Sequence, residues 1–296
     1  MRALSPRPPE RRLTIRSVRL RLYHHSDGAR VAYWELGAGQ PIGLLHSGLL
    51  SHQEFAPSAS QLAERFRVVL PDMPLHGDSE DRPRHPYTLD WFAEVIGGFA
   101  ADVLGPRPII GGHGAAVLIL LRAIEIGALR PSKLVLMPSS MHRRPQHPRL
   151  RAAWRLCAGA GAMPGLDRLL THAAKLLFSP ERGMRLSASG ERAAADLMRQ
   201  AFADVPGNAN LARSWSKCAR RWPSGPRPDL LSLYPQLTMP VLLLWADRDR
   251  MHPLSIAEEA LDLLPNGQLR ILQGSGFLMA YDDPIGFARE ISAFCG

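Results

Sequence analysis

The chain has 296 residues, which is enough for one large domain, and 46% of them are hydrophobic, which is enough for a substantial core. The sequence contains no run of about 18 apolar residues, so it predicts no membrane span. Near the N-terminus it has Arg and Pro where a secretory signal needs an apolar run. Three widely spaced cysteines fit a reducing compartment better than a disulfide framework. We therefore expect a cytoplasmic protein.

The net charge of +9 is unevenly distributed along the chain. Residues 1–22 hold seven Arg and one Glu, and residues 141–235 hold sixteen Lys or Arg and six Asp or Glu, so the remainder is net negative. Such asymmetry is typical either of a surface that meets an anion or of solvated basic helices. No nucleic-acid motif accompanies it, so nucleic acid is not an expected partner.

The pattern of elements predicts an α/β fold with three parts. Residues 1–16, rich in Pro and Arg, predict a flexible basic arm. Afterwards β-rich runs alternate with helical patterns, which predicts an eight-stranded, mostly parallel sheet flanked by helices, built from residues 17–140 and 236–296. The predicted strands are Val18–Tyr23, Arg30–Leu36, Pro41–Leu45, Arg67–Leu70, Pro108–Ile110, Lys133–Met137, Pro240–Trp245 and Gln268–Leu272. The predicted helices are Glu54–Arg65, Leu89–Leu104, Ala115–Ile126, Ser255–Leu264 and Pro284–Phe294.

Residues 141–235 interrupt this alternation with helical segments rich in Ala, Leu and Arg, separated by Pro and Gly. The position of this block, between one strand and the next, predicts an inserted helical cap over the carboxyl edge of the sheet. Open α/β sheets bind ligands at that edge. The cap is therefore expected to cover a pocket.

Four short segments, in this order, resemble landmarks of the α/β-hydrolase superfamily. The segments are Asp27–Gly37, Leu44–Gly48, Pro71–Ser79 and Tyr87–Leu89. The resemblance implies an α/β-hydrolase fold over residues 23–140 and 236–296. It also implies that the turn at His46 supplies a backbone N–H, from Gly48, to an oxyanion hole.

The acid segment of the family is also matched. Trp245 ends a strand and is followed by a loop that places Asp249 at the position of the family's acid, four residues before Pro253. In a triad this carboxylate orients a catalytic imidazole. The resemblance therefore implies that Asp249 is the acid of the site.

The nucleophile segment, Ile109–Ala116, contains no serine, cysteine or aspartate. The turn from strand to helix needs small residues two before and two after the nucleophile, and two alignments meet this need. The first places His113 at the nucleophile position and is preferred because it keeps the apolar pair and the small residues without a gap. The second takes His113 as the residue before the nucleophile and places Gly114 there.

The base of a triad is missing from its usual place. The loop after the last strand reads Gly274-Ser275-Gly276, and Phe277 follows where the family usually has histidine. No histidine occurs beyond His252. Without a nucleophile and its base, the acyl-enzyme route has no chemical path.

Two remaining groups suggest a different chemistry. An imidazole at His113 is long enough to reach Asp249, and such a dyad, beside backbone donors at Gly48 and Gly114, could remove a proton next to a carbonyl and stabilise the enolate. This hypothesis predicts a cofactor-independent, non-hydrolytic enzyme, similar to a lyase, isomerase or cyclase, that acts on an apolar carbonyl-containing small molecule. The alternatives are an inactive ligand- or partner-binding protein and a hydrolase with an atypical site.

Apolar and polar residues around this centre complete the predicted pocket. Phe277, Trp245 and Leu49 favour a hydrophobic ligand, in neutral, anionic or carrier-bound form. The other predicted pocket residues are His46, Ser139, Ser140 and His252. The histidines lack tight metal-ligand spacing, so neither a metal nor a cofactor is expected. If a protein partner exists, the basic cap or the N-terminal arm is the expected contact.

Overall fold

A computed structural model describes residues 19–80, 82–143, 209–221 and 229–296, together with a few positions between 156 and 197. Eight strands form one sheet. They are β1 (Arg19–His24), β2 (Arg30–Gly37), β3 (Gln40–Leu45), β4 (Phe66–Pro71), β5 (Ile109–Gly112), β6 (Lys133–Leu136), β7 (Val241–Ala246) and β8 (Gly267–Leu272).

The strands follow the order β1-β2-β4-β3-β5-β6-β7-β8. β2 is antiparallel to both β1 and β4, whereas all other neighbours are parallel. The central strands are almost wholly apolar and buried, as parallel strands covered on both faces must be. The predicted α/β class, with an eight-stranded and mostly parallel sheet, is confirmed.

Helices cover both faces of this sheet, and all five predicted helices are present. The helices are α1 (Ala56–Ala63), α2 (Leu89–Phe99), α3 (Ala115–Glu125), α4 (Ala209–Arg221), α5 (Leu230–Leu233), α6 (Leu254–Leu261), α7 (Met279–Asp282) and α8 (Pro284–Cys295). One apolar layer packs α2, α3 and α6 against the sheet, and the other packs α1, α7 and α8. None of these helices is long and apolar enough to cross a membrane.

Only part of the predicted cap lies within the described residues, and the predicted arm, residues 1–16, lies outside them. Helix α4 belongs to the predicted cap block and packs on the core. The Trp215 ring contacts the His76 ring edge-on, with ring centroids 5.0 Å apart, and Lys217 Nζ donates to Pro83 O at 3.0 Å. These contacts place α4 over the loop that follows β4.

A second connection ties the cap block to the core through Asp282. Its carboxylate accepts hydrogen bonds from the Ser189 N–H at 3.0 Å and from the Gly276 N–H at 2.7 Å, and it also accepts the Ser187 hydroxyl. Burial opposes the charged form of Asp282, but these hydrogen bonds outweigh it and lower the pKa of this carboxyl. Asp282 therefore links residues 187–189, which belong to the predicted cap block, to the loop that precedes Phe277.

Candidate functional site

The elbow between β5 and α3 has its strained backbone at Gly114. This residue has φ of +55° and ψ of −118°, whereas the φ of His113 is not positive. In this fold the nucleophile position is the strained residue between strand and helix. The preferred alignment, with His113 at that position, is therefore wrong, and the alternative with Gly114 there fits the backbone.

The side-chain space above Gly114 is taken by Ser47. Because β3 and β5 are parallel and pair Leu45 with Gly112, Ser47 and Gly114 lie side by side two residues beyond that pair. A Cβ built on Gly114 would collide with the Ser47 hydroxyl and lie 3.0 Å from the Ser47 Cβ. Ser47 is only 6% exposed. Its hydrogen bonds within the described residues use its backbone groups, which leaves its Oγ without a partner there.

The backbone donors of the site are Gly48 and Ala115 rather than Gly48 and Gly114. The Gly114 N–H already donates to Pro138 O at 3.0 Å, so the prediction for Gly114 is wrong. Ala115 is the first residue of α3, and its N–H has no acceptor among the described residues, as expected at a helix start. A Cβ built on Gly48 would lie 3.2 Å from the Ala115 Cβ, so the two residues are adjacent.

His113 pairs with Glu54 and not with Asp249. The His113 Nδ1–H donates to Glu54 Oε1, and Glu54 Oε2 accepts the Ser47 N–H at 2.6 Å. The predicted hydrogen bond from His113 to Asp249 is absent among the described residues, because the residue before the strained position directs its side chain toward the short 3-10 helix His52–Phe55. The His113 Nε2 is buried and has no partner there.

Glu54 is the central residue that the sequence analysis missed. Ser51-His52-Gln53-Glu54 fits the capping-box pattern, in which a glutamate folds back onto the start of its own helix. Ser51 does cap this helix, since its side chain accepts the Gln53 N–H. The Glu54 carboxylate, however, points inward and is almost fully buried. The local pattern therefore explains the serine but not the carboxylate.

The imidazole that Asp249 does hold is His252. The His252 Nδ1–H donates to Asp249 Oδ2 at 2.8 Å, and Asp249 Oδ1 accepts the Met251 N–H at 2.7 Å. In the neutral form of a ring whose Nδ1 carries the proton, Nε2 holds the lone pair. The His252 side chain is 12% exposed, and its Nε2 has no partner among the described residues. This pair is a carboxylate-oriented imidazole with an accessible basic nitrogen.

Phe277 lies between the two imidazoles. Its ring centroid is 4.1 Å from that of His113 and 5.4 Å from that of His252. It packs in a small apolar cluster that includes Leu50 and Leu197, the latter a residue of the predicted cap block. Phe277 therefore separates His113 from the Asp249–His252 pair.

Two predicted pocket residues are buried supports instead. Trp245 is fully buried in the core, and its Nε1–H donates to His252 O at 2.9 Å, which holds the loop that carries His252. His46 is also fully buried: its Nε2 accepts the Met73 N–H at 2.9 Å and its Nδ1–H donates to Ser47 O at 2.7 Å. With every polar atom engaged, neither side chain can contact a ligand.

Burial also sets the protonation of the histidines in these turns. Burial lowers the pKa of His46, and it lowers the pKa of His76 to about 3, although nearby carbonyl and carboxylate groups act in the opposite direction. Both rings therefore stay neutral near pH 7. Their positions, with ring centroids 5.0 Å apart, brace the loops after β3 and β4.

The remaining predicted pocket residues lie beside the elbow. Leu49 has a φ of +72° and packs, partly buried, against Ala212 and Trp215 of α4. Ser139 is buried, and Ser140 is partly exposed at the end of the loop after β6. They remain candidate lining residues.

One group within the described residues has the side-chain types of a metal site: His52, Asp72 and Asp78. The Asp72 carboxylate already accepts the backbone N–H groups of His52, at 2.6 Å, and Asp78, at 2.9 Å. It also pairs with His52 Nδ1 at 2.9 Å. These bonds give the group a role in holding two turns together.

Comparison with known proteins decides the family. The alpha/beta hydrolase family profile matches residues 44–290, which is most of the chain. The chain belongs to the α/β-hydrolase family. This α/β hydrolase is 22% identical over 289 residues to YugF, an uncharacterized hydrolase of Bacillus subtilis, with 97% of each chain covered. It is 24% identical over 261 residues to the magnesium-chelatase 30 kDa subunit of Rhodobacter capsulatus, with 82% of this chain and 84% of that protein covered.

Solved structures agree on the fold. A thermophilic esterase from Thermogutta terrifontis superposes with a TM-score of 0.72 at 19% identity, over 94% of this chain and 98% of that chain. An α/β-hydrolase-fold protein from Burkholderia ambifaria superposes with a TM-score of 0.74 at 22% identity, over 92% of this chain and 96% of that chain. At these identities the likeness concerns the fold alone.

Proposed function

We propose that this member of the α/β-hydrolase family is a cofactor-independent, non-hydrolytic acid–base enzyme, similar to a lyase, isomerase or cyclase, acting on an apolar carbonyl-containing small molecule. The base is His252, oriented by Asp249, and it replaces the His113–Asp249 dyad suggested by the sequence. The observation that carries the proposal is the hydrogen bond between His252 Nδ1 and Asp249 at 2.8 Å, with Nε2 left accessible.

Two positions argue against the acyl-enzyme route. Gly114 offers no nucleophile at the strained residue of the elbow. Phe277 stands in the loop where the family usually has its histidine. An acyl enzyme needs a nucleophile that is deprotonated and a leaving group that is protonated. Neither position supplies such a group.

The remaining groups suit proton transfer beside a carbonyl. His252 Nε2 takes a proton from the carbon next to the substrate carbonyl, and the electron pair moves onto the carbonyl oxygen. The N–H groups of Gly48 and Ala115 stabilise that oxygen, each contributing roughly 10²–10³-fold in rate. The protonated imidazole then returns its proton to another atom of the substrate, so the reaction consumes no water.

Solvent deuterium exchange tests this function directly. Proton NMR in D₂O would follow the loss of C–H signals next to the carbonyl in a panel of apolar ketones, aldehydes and thioesters. We expect catalysed exchange for at least one class. The variants H252Q and D249N should lower its rate by about 10²–10⁴-fold, the usual contribution of a positioned base. No exchange above the uncatalysed rate for any class would contradict the proposal.

One observation favours a second candidate, a binding protein without catalysis. Phe277 is packed between both imidazoles, and Leu197 joins its cluster from the cap. In that case the protein would bind an apolar ligand, or a partner through its basic segments, and turn nothing over. Saturable binding of a carbonyl compound that shows no exchange with the protein would favour this candidate.

A further inference from the structure

Serine and glycine have swapped positions at the elbow, and this swap changes which hydrogen-bond donors a ligand can contact. The usual turn after β3 has glycine following its histidine, whereas this chain has Ser47 there and glycine at position 114. The Ser47 hydroxyl consequently lies in the space of the nucleophile's side chain. Compared with the usual arrangement, the serine follows β3 instead of β5 and the glycine follows β5 instead of β3, so the summed side-chain volume of the two positions is the same.

Three hydrogen-bond donors lie close together at the elbow between β5 and α3. The N–H groups of Gly48 and Ala115 have no acceptor within the described residues, and the Ser47 hydroxyl has no partner there. Ser47 is more than nine-tenths buried, but its Oγ is not among the fully enclosed side-chain atoms that lack a partner, so the hydroxyl can donate to a ligand or a water. The site therefore favours an oxygen-bearing ligand.

Charges nearby favour a negative oxygen. Ala115 begins α3, an 11-residue helix whose N-terminus carries a partial positive charge. The nearest carboxylate is that of Glu54, and both of its oxygens are engaged, one with His113 and the other with the Ser47 N–H. The three donors thus have no acceptor among the described residues, while both Glu54 oxygens are already engaged.

We propose that Ser47, Gly48 and Ala115 form a binding site for one oxygen of an apolar carboxylate, with the Ser47 hydroxyl as the third donor. Under the proposed function, on which this extension rests, the same three donors would hold the enolate oxygen of the substrate. Ser47 acts here as a hydrogen-bond donor and forms no covalent bond.

Isothermal titration calorimetry with benzoate tests the proposal without requiring turnover, and benzamide serves as the neutral control of the same shape. We expect benzoate to bind the wild type more tightly than benzamide. S47A should weaken benzoate binding about tenfold or more, the usual effect of losing a hydrogen bond to a charged group. S47C keeps the size but donates weakly, so it should fall close to S47A.

Several outcomes would overturn the proposal. Benzoate that fails to bind the wild type, or that binds wild type, S47A and S47C equally, would remove the site. A covalent adduct on Ser47 after treatment with a fluorophosphonate would make Ser47 a nucleophile and not a donor. Benzoate binding that depends on Ser47 in a protein that exchanges no substrate protons would refute the proposed function and leave this site intact.

Discussion

Two imidazole–carboxylate pairs flank Phe277, and they differ in access. In the His113–Glu54 pair both side chains are almost fully buried, and the remaining ring nitrogen of His113 is enclosed with no partner in the described part of the chain. In the His252–Asp249 pair the carboxylate is buried, but the imidazole is 12% exposed and its Nε2 has no partner among the described residues. The same two chemical groups therefore differ in role: the first pair holds the elbow, and we propose that the second transfers a proton.

The largest expected effect on stability comes from breaking the buried pair. E54A leaves the His113 ring and the Ser47 N–H without their acceptor, and we expect it to lower the free energy of unfolding by about 3–5 kcal/mol. D249A is the matched control. It should cost about 1–2 kcal/mol, because water can replace the carboxylate beside His252. Urea denaturation would measure both, and equal losses would contradict the difference in access.

A smaller effect on stability is expected from His76, which has no carboxylate within hydrogen-bond distance among the described residues. Its pKa is lowered to about 3 in the folded state, against about 6.5 when unfolded. The unfolded chain therefore binds the extra proton as the pH falls from about 6.5 towards 3, and folding loses stability over that window. Between pH 7 and pH 5 the loss from this one group is about 2 kcal/mol.

The variant H76Q tests this assignment, because glutamine can still donate to the Pro74 carbonyl that His76 contacts at 3.0 Å. We expect the free energy of unfolding of H76Q to fall less between pH 7 and pH 5 than that of the wild type. An unchanged pH dependence would mean that His76 does not keep its low pKa in the folded protein.

The smallest expected effect is the coupling between Ser47 and Gly114. G114A should be destabilising in the wild type, both because of its positive φ and because of the collision with the Ser47 hydroxyl. In an S47G background only the backbone cost remains. A double-mutant cycle should therefore give a coupling of at least about 1 kcal/mol. Additive effects would show that Ser47 does not occupy this space.

The strands and helices were predictable because their apolar patterns are local. The β5–α3 segment illustrates the limit: its glycines predict a tight turn, but residue spacing cannot decide whether His113 or Gly114 adopts the positive φ. Glu54 stands in a capping-box pattern that predicts a contact within its own helix, whereas its carboxylate bonds elsewhere. Its actual partners, Ser47 and His113, become neighbours only when β3 and β5 pair.

The position of Ser47 beside Gly114 could in principle have been predicted from the sequence. Once β3 and β5 are taken as parallel neighbours, their register places Ser47 beside Gly114, and the exchange of serine and glycine becomes visible. The identity of the open imidazole was less accessible, because His252 lies three residues after Asp249, a spacing equally compatible with an ordinary loop contact. Burial, and not spacing, distinguishes His252 from His113.

The most direct test of the account is the ratio of solvent-exchange rates in two matched variants, H252Q and H113Q, measured on whichever carbonyl compound the wild type exchanges. Each change replaces an imidazole with an amide. We predict that H252Q loses about 10²–10⁴-fold in rate, while H113Q, at a temperature where it is folded, retains exchange within tenfold of the wild type. Loss of exchange in H113Q with a normal rate in H252Q would contradict the assignment of His252 as the reactive imidazole.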